Sequence, residues 1–270
     1  MAGLVCKPDS IAGSISITSS FNDKGSIMRR HLFLAVIVGF VGSVGSARGD
    51  EAKARQIVDK AIKALGGAEK IAKYPASTFK EKGTYYGMGQ GLPYEGVYSI
   101  QLPDRFAMEI QGVFKLVVNG KQAWTKMGDE TKEMTAEELD VQKSQLYHGW
   151  VSSLVPLKDR AFKLSEFGED TINGRAAVGV SVNREGKPTV TLLFDKEKGL
   201  LIKSTTTVKS PENGNKEVSE EVFYSEFKEV EGIPTPTKVL VNRDGKKFVE
   251  AEVSDHKLYE KLDDSVFGKP

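Results

Sequence analysis

Residues 97–127 read VYSIQLPDRFAMEIQGVFKLVVNGKQAWTKM, and the period of this stretch decides the fold. Tyr98, Ile100 and Leu102 alternate with Val97, Ser99 and Gln101. Phe106, Met108 and Ile110 alternate with Ala107, Glu109 and Gln111, and Phe114, Leu116 and Val118 form the next set. A period of two places one apolar face against a core and leaves the other in water, the pattern of antiparallel strands. Asn119-Gly120 then supplies turn chemistry for a hairpin, with a type I′ turn expected. Asn173-Gly174 and Asp244-Gly245 offer the same signal, Asn213-Gly214 sits in a more polar loop, and Lys196–Gly199 predicts a turn closing on a left-handed glycine.

The alternation continues to the end of the chain, through Val178/Val180/Val182, Val190/Leu192/Phe194, Val239/Val241 and Val249/Ala251/Val253. The spacing of these sets gives about eleven strands. Two stretches break the pattern. Ala54, Ile57, Val58, Ala61, Ile62 and Leu65 fall on one helical stripe, capped by Asp50 and ended by Gly66-Gly67, with a short further turn over residues 68–73. Thr135 and Glu138 form a capping-box pair ahead of Leu139, Leu146, Trp150 and Leu154, so a second helix is expected from Ala136 to about Leu154, before Pro156. The expected class is α+β, mainly β. No Pro/Gly/Ser-rich linker divides residues 50–270, which read as one domain.

The start of the chain carries an export signal. Met28-Arg29-Arg30-His31 is basic, Leu32–Val41 is a ten-residue apolar run, and small residues follow through Gly49. The run is shorter than the roughly 20 apolar residues of a membrane span. Residues 28–49 are therefore read as a signal peptide and residues 1–27 as an extension ahead of the true start. The single cysteine, Cys6, is lost with them, leaving a mature chain without thiol chemistry. The five basic and two acidic residues before Asp50, subtracted from 38 and 37, leave a slightly acidic remainder. That balance provides no field for a polyanion, so nucleic acid is not an expected partner.

Chemistry has few footholds. Gly87-Met88-Gly89-Gln90-Gly91 precedes Leu92-Pro93 and a strand rather than a helix, so it reads as a hairpin loop and not a phosphate cradle. His148 and His256 belong to no HExxH pattern and have no cysteine partner, so no metal site is expected. No G-x-S-x-G elbow marks a nucleophile, although composition alone leaves a Ser-His-acid arrangement open. Acidic pairs such as Glu137-Glu138, Glu169-Asp170 and Asp263-Asp264 have polar neighbours and read as solvated. No catalytic residue and no cofactor are expected. The apolar inventory, in contrast, exceeds what two helices readily cover. Tyr98, Phe106, Met108, Phe114, Leu116, Trp124, Leu146, Trp150, Val180, Leu192 and Phe194 are the candidate lining of a ligand cavity.

The order of several motifs resembles the LolA-like outer-membrane lipoprotein-sorting proteins, a carrier superfamily with LolB-like and RseB-like relatives. They are ALGGAEKI (64–71), VVNGKQAWTKM (117–127), FDKEKGLLIKS (194–204), YSEFKEVEGIPTPTKV (224–239) and DDSVFGKP (263–270). The resemblance implies an open half-barrel of antiparallel strands covered by helices. It implies a periplasmic protein, monomeric, that shields an acyl chain, lipid or lipoprotein cargo and passes it between membrane-associated donor and acceptor proteins. A lipid sensor acting through a protein partner and a periplasmic hydrolase are the alternatives. Cleavage of the signal predicts a mature N-terminus between Ala47 and Asp50 on Edman sequencing of protein from the native host; retention of Leu32–Val41 would refute export.

Overall fold

The computed structural model describes residues 45–270, with side chains from Asp50 onward; the expected extension and most of the expected signal peptide lie outside the described residues. Helix α1 (Gly45–Ala64) begins five residues earlier than the periodicity indicates and is followed by α2 (Ala68–Lys73). Six strands come next: β1 (Ala76–Tyr85), β2 (Leu92–Gln101), β3 (Arg105–Ile110), β4 (Phe114–Asn119), β5 (Gln122–Met127) and β6 (Glu130–Glu133). Helix α3 (Ala136–Ser152) and a 3₁₀ turn (Val155–Lys158) interrupt them. The chain closes with β7 (Lys163–Ile172), β8 (Arg175–Asn183), β9 (Val190–Asp195), β10 (Leu201–Ser210), β11 (Lys216–Val230), β12 (Ile233–Arg243), β13 (Lys246–Tyr259) and a last 3₁₀ turn, Asp264–Phe267.

All thirteen strands belong to one open antiparallel sheet, two more than the alternation predicts. The short β6, Glu-Thr-Lys-Glu, has no apolar positions by which a period could be read. The order β6-β5-β4-β3-β2-β1-β13-β12-β11-β10-β9-β8-β7 is two meanders joined at one seam, where β1 pairs with β13 from Ala76↔Tyr259 to Tyr85↔Val249.

The turns follow local chemistry. Asn173 (φ 49°) and Gly174 (φ 77°) join the Ile172↔Arg175 pair, and Asp244 (φ 48°) and Gly245 (φ 73°) join Arg243↔Lys246, as type I′ geometry requires. The first hairpin differs. Asn119 is paired with Gln122, so the two loop residues are Gly120 and Lys121, and only Gly120 has positive φ (60°). A glycine at the first loop position is the type II′ pattern, and it moves the turn one residue from the position expected for Asn-Gly. At Lys196–Gly199, Asp195 Oδ1 accepts from the Glu197 and Lys198 amides and Gly199 has φ 74°, as predicted.

Helix α1 buries Ala54, Val58, Ala61 and Ile62 against β7–β9, in a cluster with Leu164, Val180, Val182, Val190, Leu192 and Phe194. Arg55 fixes its orientation by donating to the carbonyls of Leu157 and Phe162 at 2.8 and 3.0 Å. Helix α3 has the predicted capping box, with the Thr135 amide donating to Glu138 Oε2 at 2.7 Å and the Glu138 amide to Thr135 Oγ1 at 3.3 Å. It ends two residues short of expectation, because Leu154 leaves the helix with φ 63° ahead of Pro156.

The register places Val180 inward, fully buried, and Ser181 outward between Ser165 and Thr191. Val180→Asp is expected to destabilise the fold by about 3–5 kcal/mol, because an unpaired carboxylate would be forced into the α1-covered core. Ser181→Asp is expected to stay within about 0.5 kcal/mol of the parent. Denaturant titration of both variants checks the register, and equal losses would refute it.

Candidate functional site

Cross-strand partners share a face, so the register defines the whole inner surface. In the first meander it carries Phe79 and Glu81 (β1), Tyr94, Tyr98 and Ile100 (β2), Phe106, Met108 and Ile110 (β3), and Phe114, Leu116 and Val118 (β4). Across the seam it continues through Val249, Ala251 and Val253, then Val239 and Val241, then Val222 and Tyr224, into the α1-covered strands. Its two ends are closed. At one, α1 seals β7–β9; at the other, Leu146 of α3 packs on Leu116, Val118 and Ala123, flanked by Leu139 and Met134.

Between those ends the inner face is only half-buried. Phe79, Tyr98, Met108, Ile110, Phe114, Val222, Val239, Val241, Val249 and Val253 all retain solvent exposure. This apolar lane crosses the middle strands beside α3. Phe79 and Tyr98 stack at 5.0 Å, and Phe106 and His256 tilt against them. The lane is not purely apolar. Burial raises the Glu81 carboxyl above its usual range, against the effect of the Tyr94 hydroxyl that donates to it at 3.0 Å. Burial also lowers His256, whose ring nitrogens have no hydrogen-bond partner. Both shifts favour neutral forms, which suits an apolar surrounding.

Two concavities among the described residues, about 460 and 160 Å³, are lined largely by charged side chains, Lys82, Lys238 and Glu252 at one and Lys80, Lys82 and Glu95 at the other. Neither suits an apolar guest.

One polar cluster pins α3 to the sheet. His148 Nε2 lies 2.9 Å from Ser204 Oγ on β10, and Nδ1 lies 3.3 Å from Glu220 Oε1 on β11. Ser204 Oγ also meets the Tyr224 hydroxyl at 3.1 Å. Arg243 on β12 donates from Nε and Nη2 to Glu220 Oε2 at 3.0 and 2.9 Å, and from Nη1 to Glu212 at 3.1 Å, while its guanidinium lies 3.7 Å from the Phe248 ring centroid. With its amide oriented to satisfy both partners, Gln145 bridges Glu220 and Arg243. His148, Ser204 and Glu220 are all buried. Burial works against the Glu220 charge, but the His148 and Arg243 bonds outweigh it and hold the carboxyl below its usual range. An ionised Glu220 only accepts, so His148 donates to it through Nδ1.

The eleven residues read from the sequence as cavity lining fall in three places. Tyr98, Phe106, Met108, Phe114, Leu116 and Leu146 gather in the first meander beside α3. Val180, Leu192 and Phe194 sit in the closed core under α1, with Trp150 packed at its margin against Phe162. Trp124 stands apart on the outer face, where it packs with Val117, Leu262 and Phe267. The two-residue turn at Gly120-Lys121 pairs Val118 with Ala123, which turns Trp124 outward. Sequence reasoning passed over the polar cluster. Its signal was available: Glu220 interrupts the inward series Val218, Val222, Tyr224, and a carboxylate in an inward position requires partners.

Removing Glu220 tests the cluster. Glu220→Ala leaves Arg243 and His148 without their acceptor and is expected to cost about 3–5 kcal/mol at neutral pH. The sign with pH follows from linkage. The folded carboxyl is more acidic than the unfolded one, so the unfolded state binds its proton first. The contribution is complete above the range in which the unfolded carboxyl titrates and is lost as pH falls through the lower range of the folded one. The stability gap between parent and Glu220→Ala should therefore narrow on acidification in a urea series; a constant gap would refute the assignment.

No family model matches the chain, and no curated protein matches it. Solved structures do. A DUF1329 family protein from Desulfovibrio piger aligns with a TM-score of 0.57 at 13% identity, over 81% of this chain and 98% of that one. A putative outer membrane lipoprotein-sorting protein domain from Vibrio parahaemolyticus aligns at 0.53 and 10%, over 82% and 98%. A LolA superfamily protein from Nitrosomonas europaea aligns at 0.52 and 11%, over 80% and 97%. At such identities the likeness concerns architecture, and on that architecture of one curled open sheet with helices on its inner face, the chain has a LolA-like fold.

Proposed function

We propose that the chain is a non-catalytic periplasmic carrier that shelters an acyl chain or the lipid moiety of a lipoprotein on its inner face, in transit towards the outer membrane. The observation that carries this reading is the half-buried apolar lane, a strip of Phe, Tyr, Met, Ile and Val side chains left between two helix-sealed ends. Each methylene removed from water contributes about 0.8 kcal/mol, so several along the lane would hold a chain firmly yet reversibly. Helix α3 borders the lane, and its displacement would admit or release cargo. The names of the Vibrio and Nitrosomonas neighbours point the same way.

Ser204, His148 and Glu220 have the spacing of a Ser-His-acid triad, which favours a hydrolase as the second reading. Three features argue against it. Ser204 is wholly buried. It lies mid-strand, paired with Val222 and Leu192, so nearby amides serve the ladder rather than an oxyanion. His148 rides on α3, so lifting that helix to admit substrate takes the base away from the nucleophile.

Mass spectrometry of a solvent extract of the purified protein should detect bound lipid, and a fluorescent fatty acid should bind and be displaced by phospholipid. Ile110→Asn, at a half-exposed lane position, should weaken probe binding about tenfold with little loss of stability. Absence of both lipid and probe binding would refute the carrier, and a stable protein partner recovered in its place would favour a sensor.

A further inference from the structure

Among the described residues, large exposed apolar side chains are not evenly scattered. Six are more than two-fifths exposed, and four of them, Met88 (74%), Leu92 (44%), Val113 (60%) and Met127 (62%), sit at the tips of three successive hairpins. These are β1–β2, β3–β4 and β5–β6, which the antiparallel order places side by side at the same end of the sheet. The turns at the opposite end carry Asp104, Lys121 and Glu231. The asymmetry is therefore between the two ends of the same strands.

We propose that this rim docks on a lipid bilayer surface, with the three hairpin tips entering the headgroup–acyl boundary. Neighbouring strands are about 4.8 Å apart, so successive tips stand about 10 Å from one another. A protein partner needs a contiguous, closely packed patch, whereas a fluid lipid surface closes round single side chains on separate turns. The β1–β2 turn, Tyr86–Gly91, holds no ionised group, and the β3–β4 turn is Gln111-Gly112-Val113. Asp129 beside Met127 limits the third tip to the headgroup layer. The next turn on this rim, β12–β13, brings Lys246 and Lys247, while its Asp244 side chain is taken up by the Ser219 amide at 2.9 Å. Lys247 is held by Glu250 at 2.8 Å, and Lys246 complements anionic headgroups.

The rim is also continuous with the lane. Leu92 pairs with Tyr85 and shares the inward side with Tyr94 and Gly96, so the apolar strip runs out to the tips. Docking there would present the lane's open edge, at the ends of the strands, to the bilayer that supplies or receives an acyl chain. This use rests on the carrier reading; the docking itself does not.

The test is co-sedimentation of the full chain with phosphatidylcholine vesicles and with vesicles containing phosphatidylglycerol. Wild type should pellet with both, more with the second. The neutral triple variant Met88→Asn/Val113→Asn/Met127→Asn should lose about tenfold or more in partitioning, since each apolar tip loses its lipid contact. It should bind the fatty-acid probe as wild type does. Val97→Thr, an exposed position on the outer face of β2, should pellet unchanged. Wild type remaining in the supernatant, a triple variant that pellets as wild type, or an equal loss in Val97→Thr would each overturn the proposal. Tip-dependent pelleting without probe binding would uphold the docking and remove the carrier.

Discussion

Side-chain alternation in a single sheet imposes the governing constraint on this molecule. Thirteen strands paired in one sheet gather their inward residues on one side, and an open sheet has no second sheet to bury them against. The surface must be hidden by curling and by helices, and the chain has one helix for each end of the strip. Helix α1 covers β7–β9 so completely that Val180, Val182, Val190 and Leu192 have no exposed area. The middle strands receive no such cover, and the lane follows from that shortage. The outer face meets the problem in miniature: Val117 and Trp124 are covered by the C-terminal turn and its Phe267.

The attachment of α3 has a different physical character from that of α1. Helix α1 is held chiefly by apolar packing, a non-directional contact that tolerates small shifts, while the Arg55 bonds set its orientation. Helix α3 is held on the β10–β12 side by a buried ionic cluster in which each polar atom depends on the next. Such clusters stabilise little beyond a well-packed apolar core, yet they are costly to leave half-made. An element fastened in this way sits either fully home or away, with few intermediate positions. That property suits a helix bordering a binding lane better than graded packing would.

Much of this architecture was legible in the sequence for local reasons. The period of two, the two glycine-bounded type I′ turns and the Thr135/Glu138 capping box are set by neighbours within a few residues, and they stand as read. What escaped depended on register across a turn or on distant chain segments. Trp124 was grouped with inward aromatics because its size was read before its pairing; it lies opposite the outward Val117, while the inward Val118 and Leu116 face Ala123 and Thr125. The partners of His148 come from β10 and β11, more than fifty residues away, and no local pattern joins them. The strip of partial exposure was likewise hidden, since whether Tyr98 or Phe194 is covered depends on where α1 and α3 come to rest.

The seam between β1 and β13 sets the order in which this molecule can assemble. Every other neighbouring pair in the sheet joins strands consecutive in the chain, hairpins that close quickly over short loops. The seam joins Ala76 to Tyr259, at opposite ends of the strand series, and carries the loop-closure entropy of almost everything between. Two half-sheets therefore stand unjoined until the final strand arrives. A chain stopped before Lys246 would lose the joint between its two halves rather than one edge strand.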